Sequence, residues 1–179
     1  GKRETALRLG ADYPFDPLAP DFAARVKEVC RGGRKALGGN VDDDGAKVIV
    51  EVTGNGGALN TALDAAAPFA RLALLGCTRD SNFTVNYYRK VHARGVTMVG
   101  AHTAARPSYE SAAGWWTTRD DACTFLRLLS LGRISLKGFV AEVHRPRDCA
   151  AVYARLAKGG AFPTVQFDWT SQPSQPSQP

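Results

Sequence analysis

The sequence predicts an α/β protein in which helices cover both faces of a parallel sheet. Three short hydrophobic segments, at 46–52, 71–75 and 96–99, have the composition of strands, and a glycine follows each of them within two residues. Segments of helical composition separate the three. Strands that alternate with helices in this way are typical of parallel α/β sheets, whose strands are joined by right-handed crossovers.

The first strand is predicted to lie in the centre of the sheet. It is rich in β-branched residues, which fit a pleated strand better than a helix, and they fall on both faces of the alternation. The strand leads into the segment 53–57, where glycines and an asparagine allow a tight exit. Ligands bind at this end of the strands in open α/β sheets, so we expect a ligand-binding turn at 53–57. A purely structural turn is the alternative.

Two helices are expected before this strand. The segment 2–9 has the composition of the end of a helix, which Gly10 stops. Asp21 is predicted to cap a second helix whose apolar residues recur at helical spacing and which ends at Gly32. The segment 34–45 carries consecutive aspartates and is predicted to be a solvated loop.

Further helices are expected between the strands. The segment 60–67 has helical composition and ends at Pro68, which cannot continue a helix. The segment 83–94 has apolar residues on one face and ends at Gly95.

The last third of the chain is predicted to contain shorter elements. A loop-rich segment with a tryptophan pair leads to a helix that Asp120 or Asp121 caps. A strand, a helix, a strand and a repetitive Ser-Gln-Pro tail follow, at 139–143, 148–156, 164–169 and 171–179. The tail has no apolar residues with which to build a core.

Composition limits the classes of protein to which this chain belongs. Of its 179 residues 44% are hydrophobic, which is enough for a core. The formal net charge is +6, but the basic residues are scattered and lack interleaved aromatics. A solvated basic surface is therefore favoured over a nucleic-acid interface. No apolar run approaches the roughly 18 residues of a membrane helix, so no membrane partner is expected.

The cysteines predict neither a disulfide framework nor a metal site. Cys30, Cys77, Cys123 and Cys149 form no C-x-x-C pair, and no histidine stands at ligand spacing from them. We expect reduced, mostly packed thiols, which together with the lack of an apolar leader favour a cytoplasmic protein. Glu51 lies among valines, needs a polar partner there, and is interpreted as structural.

Six segments carry a resemblance to a known family. They are L-G-A-D at 9–12, V-I-V-E-V-T-G at 48–54, A-L-N-T-A-L-D at 58–64, L-A-L-L-G at 72–76, G-V-T-M-V-G-A at 95–101 and E-V-H-R-P at 142–146. In this order and spacing they resemble the C-terminal half of the medium-chain, zinc-type alcohol and polyol dehydrogenases, including the sorbitol dehydrogenase-like branch.

The resemblance implies the first two of three parts, and the composition of the tail implies the third. Residues 1–119 would be a partial NAD(P)-binding Rossmann domain without its first strand, glycine-rich loop and second strand. Residues 120–169 would return to a catalytic domain that the chain lacks, with Phe125, Phe139 and Val152 packing on it. Residues 170–179 would be a disordered tail.

The resemblance also implies where the cofactor binds. Thr53 and Gly54 would line the adenosine side of the groove. The next two strand ends would bring backbone groups to the nicotinamide carboxamide, at Gly76, Cys77, Thr78, Val99, Gly100 and Ala101. His102 would lie beside the substrate, with an exposed loop histidine as the alternative.

The chain departs from the family pattern in its missing parts. It has no G-x-G-x-x-G fingerprint, no acidic residue placed to hold the ribose, and no zinc-ligand set. We therefore expect no catalytic residue and no metal ligand in this chain, and zinc to be held by an N-terminal half. NAD and NADP remain equal alternatives.

The function implied by the resemblance is hydride transfer between a secondary alcohol or polyol and nicotinamide. The chain would be the cofactor-binding part of a homodimeric or homotetrameric enzyme and would be inactive alone. A non-catalytic α/β binding or oligomerisation module derived from the family is the main alternative. A nucleotide-binding fold of another type, such as a methyltransferase, is a third hypothesis.

Overall fold

The computed structural model describes four stretches of the chain, residues 2–31, 44–77, 82–159 and 164–170. The described residues within Phe15–Asp121 form one compact unit, and those within Gly1–Pro14 and Ala122–Pro179 form the other. Most of the predicted loop at 34–45 and the whole tail at 171–179 lie outside the described residues. Gly32, the predicted end of the second helix, does too.

Helices and strands alternate through the first unit, and shorter elements follow. In chain order they are α1 (Lys2–Arg8), α2 (Phe22–Val29), β1 (Ala46–Glu51), α3 (Gly56–Ala65), β2 (Ala66–Leu74), α4 (Tyr87–Lys90), β3 (Thr97–Gly100), α5 (Thr118–Ser130), β4 (Glu142–His144), α6 (Cys149–Ala157) and β5 (Val165–Phe167). Short 3₁₀ turns lie at His92–Arg94 and Pro146–Asp148. The predicted α/β class is confirmed.

The sheet of the first unit is parallel throughout. Its order is β1-β2-β3, and in its register Glu51 pairs with Leu74, which in turn pairs with Gly100. The carboxyl ends of the three strands therefore lie side by side at one edge of the sheet. This is the arrangement on which any ligand site of the predicted kind depends.

β1 is an edge strand in the part of the chain that the structure describes, so the prediction of a central strand buried on both faces is wrong for these residues. Val48, Val50 and Val52 are 72%, 55% and 62% exposed. The valines and isoleucine of β1 are suited to burial on both faces of a sheet. The described residues cover only part of that surface.

The core lies between the sheet and α3. Residues just before β3 also contribute to it. Its buried residues are Leu59, Leu63, Ala66, Ala70, Leu72, Val91 and Val96. Leu63 and Leu72 are fully buried, and each such side chain contributes about 1.5–3 kcal/mol relative to an exposed one. This packing fixes α3 against β2 and so fixes the turn that joins β1 to α3.

Two boundaries around α3 differ from the prediction. The helix begins at Gly56 rather than at 60, and β2 begins at Ala66 rather than at 71. Pro68 therefore lies inside a strand, at a place where the β1–β2 register shifts between Ala46 and Val48. Proline removes no ladder hydrogen bond at such an irregularity, which is why it is tolerated there.

The predicted helix at 83–94 is much shorter than expected. Only α4 and a 3₁₀ turn form, and Asn86 caps α4 by accepting a hydrogen bond from Arg89 N at 3.1 Å. Gly95 ends the segment in the left-handed region, with φ of 63°, as the sequence predicted. Val91 is buried, so this short piece still contributes to the core.

α5 begins earlier than predicted, and its cap is Thr117 rather than Asp120 or Asp121. Thr117 Oγ1 accepts a hydrogen bond from Asp120 N at 3.3 Å and donates one to Asp120 Oδ2 at 2.9 Å. The Ser111 hydroxyl also donates to that carboxylate. These two side-chain hydrogen bonds hold the pKa of Asp120 below its ordinary value.

The second unit contains a small parallel sheet of β4 and β5. Glu142 accepts a hydrogen bond from Arg155 and lies 2.8 Å from His144 Nε2, and these two partners lower the pKa of the Glu142 carboxyl. Val152 is buried, so its predicted place on a surface for another domain is wrong. Phe125 and Phe139 are about half exposed, at 45% and 48%.

Candidate functional site

The three strand ends are joined by backbone hydrogen bonds. Leu75 N and Gly76 N both donate to the carbonyl oxygen of Glu51, at 2.9 and 2.8 Å. Ala101 N donates to the carbonyl oxygen of Leu74 at 3.0 Å. The turns that follow β1, β2 and β3 are thus held as neighbours, and they form one continuous edge.

The Glu51 side chain organises the turn after β1. It is 6% exposed. Its carboxylate accepts hydrogen bonds from Thr53 N at 2.7 Å, from the Thr53 hydroxyl, and from Gly54 N at 3.1 Å. A buried carboxylate needs polar partners, and Glu51 finds them in the turn that follows β1. This agrees with a structural role for Glu51.

Two opposing effects act on the pKa of Glu51. Burial raises it, because a low-dielectric setting disfavours the charged form. The hydrogen bonds from Thr53 and Gly54 lower it, and together they outweigh burial, so the pKa of Glu51 lies below its ordinary value. The group is therefore an ionised carboxylate at neutral pH and acts only as an acceptor.

Gly76 and Gly100 differ in the space around them. A Cβ built on Gly76 would lie 2.2 Å from Gly54 N and 2.8 Å from Thr53 N, so the turns after β1 and β2 touch through bare backbone. A Cβ built on Gly100 would meet nothing within 4 Å. The edge is closely packed between β1 and β2 and open at the end of β3.

An apolar cleft of about 720 Å³ lies beside this edge, bounded by α2, β1 and α3. It is lined by Pro17, Leu18, Phe22, Val26, Ala46, Val48, Ile49, Val50, Thr53, Asn55, Gly57, Ala58, Thr61, Ala62 and Ala65. Only a few of these side chains are polar. Thr53 and Asn55 belong both to the cleft and to the turn after β1.

The residues predicted to bind a cofactor lie mostly at this edge. Those that the structure describes are Thr53, Gly54, Gly76, Cys77, Val99, Gly100 and Ala101, and Thr78 lies outside the described residues. His102 follows Ala101 and is exposed, and its Nδ1 accepts a hydrogen bond from Ala104 N at 3.1 Å. Their roles toward a ligand stay predictions.

Asn55 has a role that the sequence analysis missed. Its Oδ1 accepts hydrogen bonds from Gly57 N at 2.8 Å and Ala58 N at 3.2 Å, and so caps α3. An asparagine before a helix-forming segment is a recognised capping signal, but the adjoining glycines favoured a plain turn. The α2 side of the cleft had no signal in the sequence, because it depends on packing between distant segments.

The described residues offer no metal site of their own. Among them, no group of three or more histidine, cysteine or acidic side chains is placed to hold a metal ion. All four cysteines are free and exposed, so the prediction that they are packed is wrong. No described helix is long and apolar enough to cross a membrane.

Parallel strands whose glycine-bearing ends meet at one edge, with helices between them, define a Rossmann-type α/β class. The zinc-binding dehydrogenase family model matches residues 1–118 of this chain, and the chain belongs to that family. The resemblance inferred from six sequence segments is confirmed.

Individual relatives agree with this family. The L-threonine 3-dehydrogenase of Pyrococcus horikoshii is 25% identical over 166 residues, which cover 93% of this chain and 41% of the relative. The enzyme of that name from Pyrococcus abyssi is 24% identical with the same coverage. The chain thus spans about 41% of the length of these relatives.

Solved structures agree in fold. A benzyl alcohol dehydrogenase from Acinetobacter calcoaceticus has a TM-score of 0.67 at 17% identity, with 93% of this chain and 40% of that chain covered. An NAD-dependent alcohol dehydrogenase has a TM-score of 0.62 at 20% identity, with 92% and 40% covered. At these identities the similarity shows the fold alone.

Proposed function

We propose that this chain is the NAD(P)-binding part of a zinc-type dehydrogenase that transfers hydride between a secondary alcohol or polyol and nicotinamide. The observation that carries the proposal is the common edge of three parallel strand ends, closely packed at Gly76 and open at Gly100. Such an edge lets a flat, extended ligand approach the backbone. Family membership supports the same reading.

The strand ends offer contacts for the two halves of a dinucleotide, although the chain has no G-x-G-x-x-G loop for the pyrophosphate. Thr53, which lines the cleft, and the adjoining Gly54 would contact the adenosine half. Backbone groups after β2 and at the end of β3 would hold the nicotinamide carboxamide, at Gly76, Cys77, Thr78, Val99, Gly100 and Ala101. The bound cofactor supplies the hydride acceptor or donor, while this chain orients it. His102, exposed just beyond β3, would border the substrate.

The described residues do not fit zinc, since they include no ligand set for it. We therefore assign zinc, as the resemblance implies, to an N-terminal half of the enzyme and derive no step of the reaction from it. The apolar cleft and the exposed valines of β1 also support a division of the enzyme into this chain and an N-terminal half. They offer a surface on which further parts of the nucleotide-binding domain could pack.

Association is proposed for the intact enzyme. β3 forms the other edge of the described sheet, and an uncovered strand edge favours pairing with another chain. The family resemblance implies a homodimer or homotetramer, and the cysteine usage of the sequence supports a cytoplasmic location. Residues 120–169 would return to the catalytic domain of the same enzyme.

Saturation-transfer NMR of NAD and NADP mixed with the chain tests the proposal. We expect transfer to both the adenine and the nicotinamide protons at millimolar cofactor, since the resemblance assigns part of the groove to an N-terminal half. Gly100→Val should abolish transfer to the nicotinamide protons and leave the adenine signals, while Ala141→Val, at an exposed position before β4 with an ordinary φ, should change neither. Absence of transfer from the unmodified chain would contradict the proposal.

A further inference from the structure

We infer that Asn60 is a positioning residue for the nicotinamide side of the groove. Its side chain ties residues 82–86, called here the anchored segment, to α3. This segment follows the turn after β2, so the tie holds that turn where it would meet the nicotinamide carboxamide. The inference rests on the proposed function and deepens it, because it names a residue that acts through Gly76 and Cys77 without touching the cofactor.

The amide of Asn60 bonds to three different parts of the first unit. Its Nδ2 group donates to the carbonyl oxygen of Thr84, in the anchored segment, at 2.9 Å and to that of Gly56, in the first turn of α3, at 3.3 Å. Its Oδ1 accepts a hydrogen bond from Lys90 Nζ at 3.2 Å. The two carbonyls require a donor and the ammonium group requires an acceptor, so only one orientation of the amide satisfies all three.

An apolar contact also holds the anchored segment on α3. A Cβ built on Gly56 would lie 2.2 Å from Cγ of Phe83, so the Phe83 ring lies directly against the glycine at the start of the helix. Val85 is partly buried against the core. The segment is therefore held by packing as well as by the Asn60 amide, and this close approach explains why glycine stands at position 56.

α3 provides a rigid support for the anchored segment. Leu59 and Leu63, close to Asn60 on the same helix, are buried in the core. The turn after β2 is held at its start, where Gly76 N donates to the carbonyl oxygen of Glu51 at 2.8 Å. The anchored segment comes a few residues later, so its tie to α3 restricts the same turn from the other side. Backbone contacts to a ligand need such support, because small displacements of the contacting groups weaken them.

The adenosine side of the groove has separate support. Thr53 and Gly54 donate hydrogen bonds to the Glu51 carboxylate, and none of these bonds involves Asn60. Loss of the Asn60 amide should therefore affect the two halves of the cofactor unequally. This difference separates a positioning role from a general effect on the fold, which would weaken the contacts to both halves together.

Saturation-transfer NMR of NAD mixed with the Asn60→Ala chain tests the inference. The ratio of transfer at the nicotinamide protons to transfer at the adenine protons should fall about three- to tenfold, the usual effect of one lost hydrogen bond. Without cofactor, the ¹⁵N-labelled variant should show a shifted Cys77 amide and an unshifted Thr53 amide. Alanine is the strongest helix former, so α3 should persist, and thermal melts check that it does.

Two further variants complete the test. Asp64→Ala removes the ion pair of Asp64 with Lys90 Nζ at 2.8 Å, which joins α3 to α4, but it keeps the hydrogen bond from Asn60 to Thr84. It should leave the transfer ratio within about twofold of that of the unmodified chain, because an exposed ion pair contributes little. Phe83→Ala removes the other contact of the anchored segment without changing a buried core residue, and it should also lower the ratio.

Each contrary result has a distinct meaning. A ratio that Asn60→Ala leaves unchanged, or equal losses at the adenine and nicotinamide protons, would overturn the inference and leave the proposed function standing. A fall for Asp64→Ala as large as that for Asn60→Ala would also overturn it, because the hydrogen bond to Thr84 would then not be the cause. If the unmodified chain showed no transfer to either half of NAD, the proposed function would fail and the inference with it.

Discussion

Glycine occupies two of the strand ends for different physical reasons, and substitution can distinguish the two positions. Gly76→Ala should destabilise the fold by about 1–3 kcal/mol, the usual cost of overpacking, because its Cβ would overlap the backbone of Gly54. Gly100→Ala should change stability by less than about 0.5 kcal/mol, since the space there is open. Chemical denaturation measures both. Equal losses at the two positions would contradict the described packing of the edge.

Glu51 links the stability of the fold to pH. Because its folded pKa lies below its ordinary value of 4.5, the ionised carboxylate stabilises the fold above that pH. The contribution is lost as pH falls through the folded pKa. Glu51→Gln should lower stability by about 1–3 kcal/mol at neutral pH, since an amide cannot accept every hydrogen bond that the turn donates.

Denaturation of the unmodified chain and of Glu51→Gln across pH 2–7 gives the test for Glu51. The difference in the free energy of unfolding should be constant above about pH 5 and should shrink below about pH 4, because only the ionised form is favoured. Glu4, Asp120 and Glu142 also have lowered pKa values, but both proteins share them. A difference that grows on acidification would refute the assignment.

At the scale of the element, capping decides where helices begin, and removing a single acceptor atom from the cap residue weakens the start of the helix. Thr117→Ala should destabilise the start of α5 by about 1 kcal/mol, because the mutation removes the acceptor of Asp120 N. The neighbouring Thr118→Ala keeps that acceptor and provides the matched control. Circular dichroism melts compare the two. A larger loss for Thr118→Ala would place the cap elsewhere.

Some strands and helices were predicted closely from sequence and others were not, and local chemistry explains the difference. β1 and β3 each have β-branched residues followed by glycine, and the structure places both within two residues of the prediction. α3 starts four residues early because Asn55 caps it, and the short α4 replaces a predicted twelve-residue helix at 83–94. Periodicity describes a buried face, and it does not show where hydrogen-bonded caps end a helix.

The candidate site was predictable only in part. The strand-end glycines and Thr53 could be read from the sequence, because small residues after buried strands indicate close backbone approach. The hydrogen-bond partners of Glu51, the direction of the hydrogen bond from the Thr53 hydroxyl and the wall that α2 adds to the cleft could not be read from the sequence. They depend on side-chain hydrogen bonds and on packing between segments far apart in the chain.

At the scale of the whole molecule, we predict that this chain alone does not oxidise alcohols. The described residues include no metal ligand set, and the chain spans about 41% of the length of its relatives. An absorbance assay with sorbitol, threonine and benzyl alcohol, under NAD and NADP, should detect no turnover. Turnover that persists with a chelator would refute this prediction and require a zinc-free mechanism.

The central claim is that the common edge of β1, β2 and β3 binds the dinucleotide. Backbone amide shifts of the ¹⁵N-labelled chain, recorded as NAD is added, test it most directly. We predict saturable shifts confined to the turns after the three strands, at Thr53, Gly54, Gly76, Cys77, Gly100 and Ala101. Shifts confined to β4, β5 and α6, or no shifts at millimolar NAD, would contradict it.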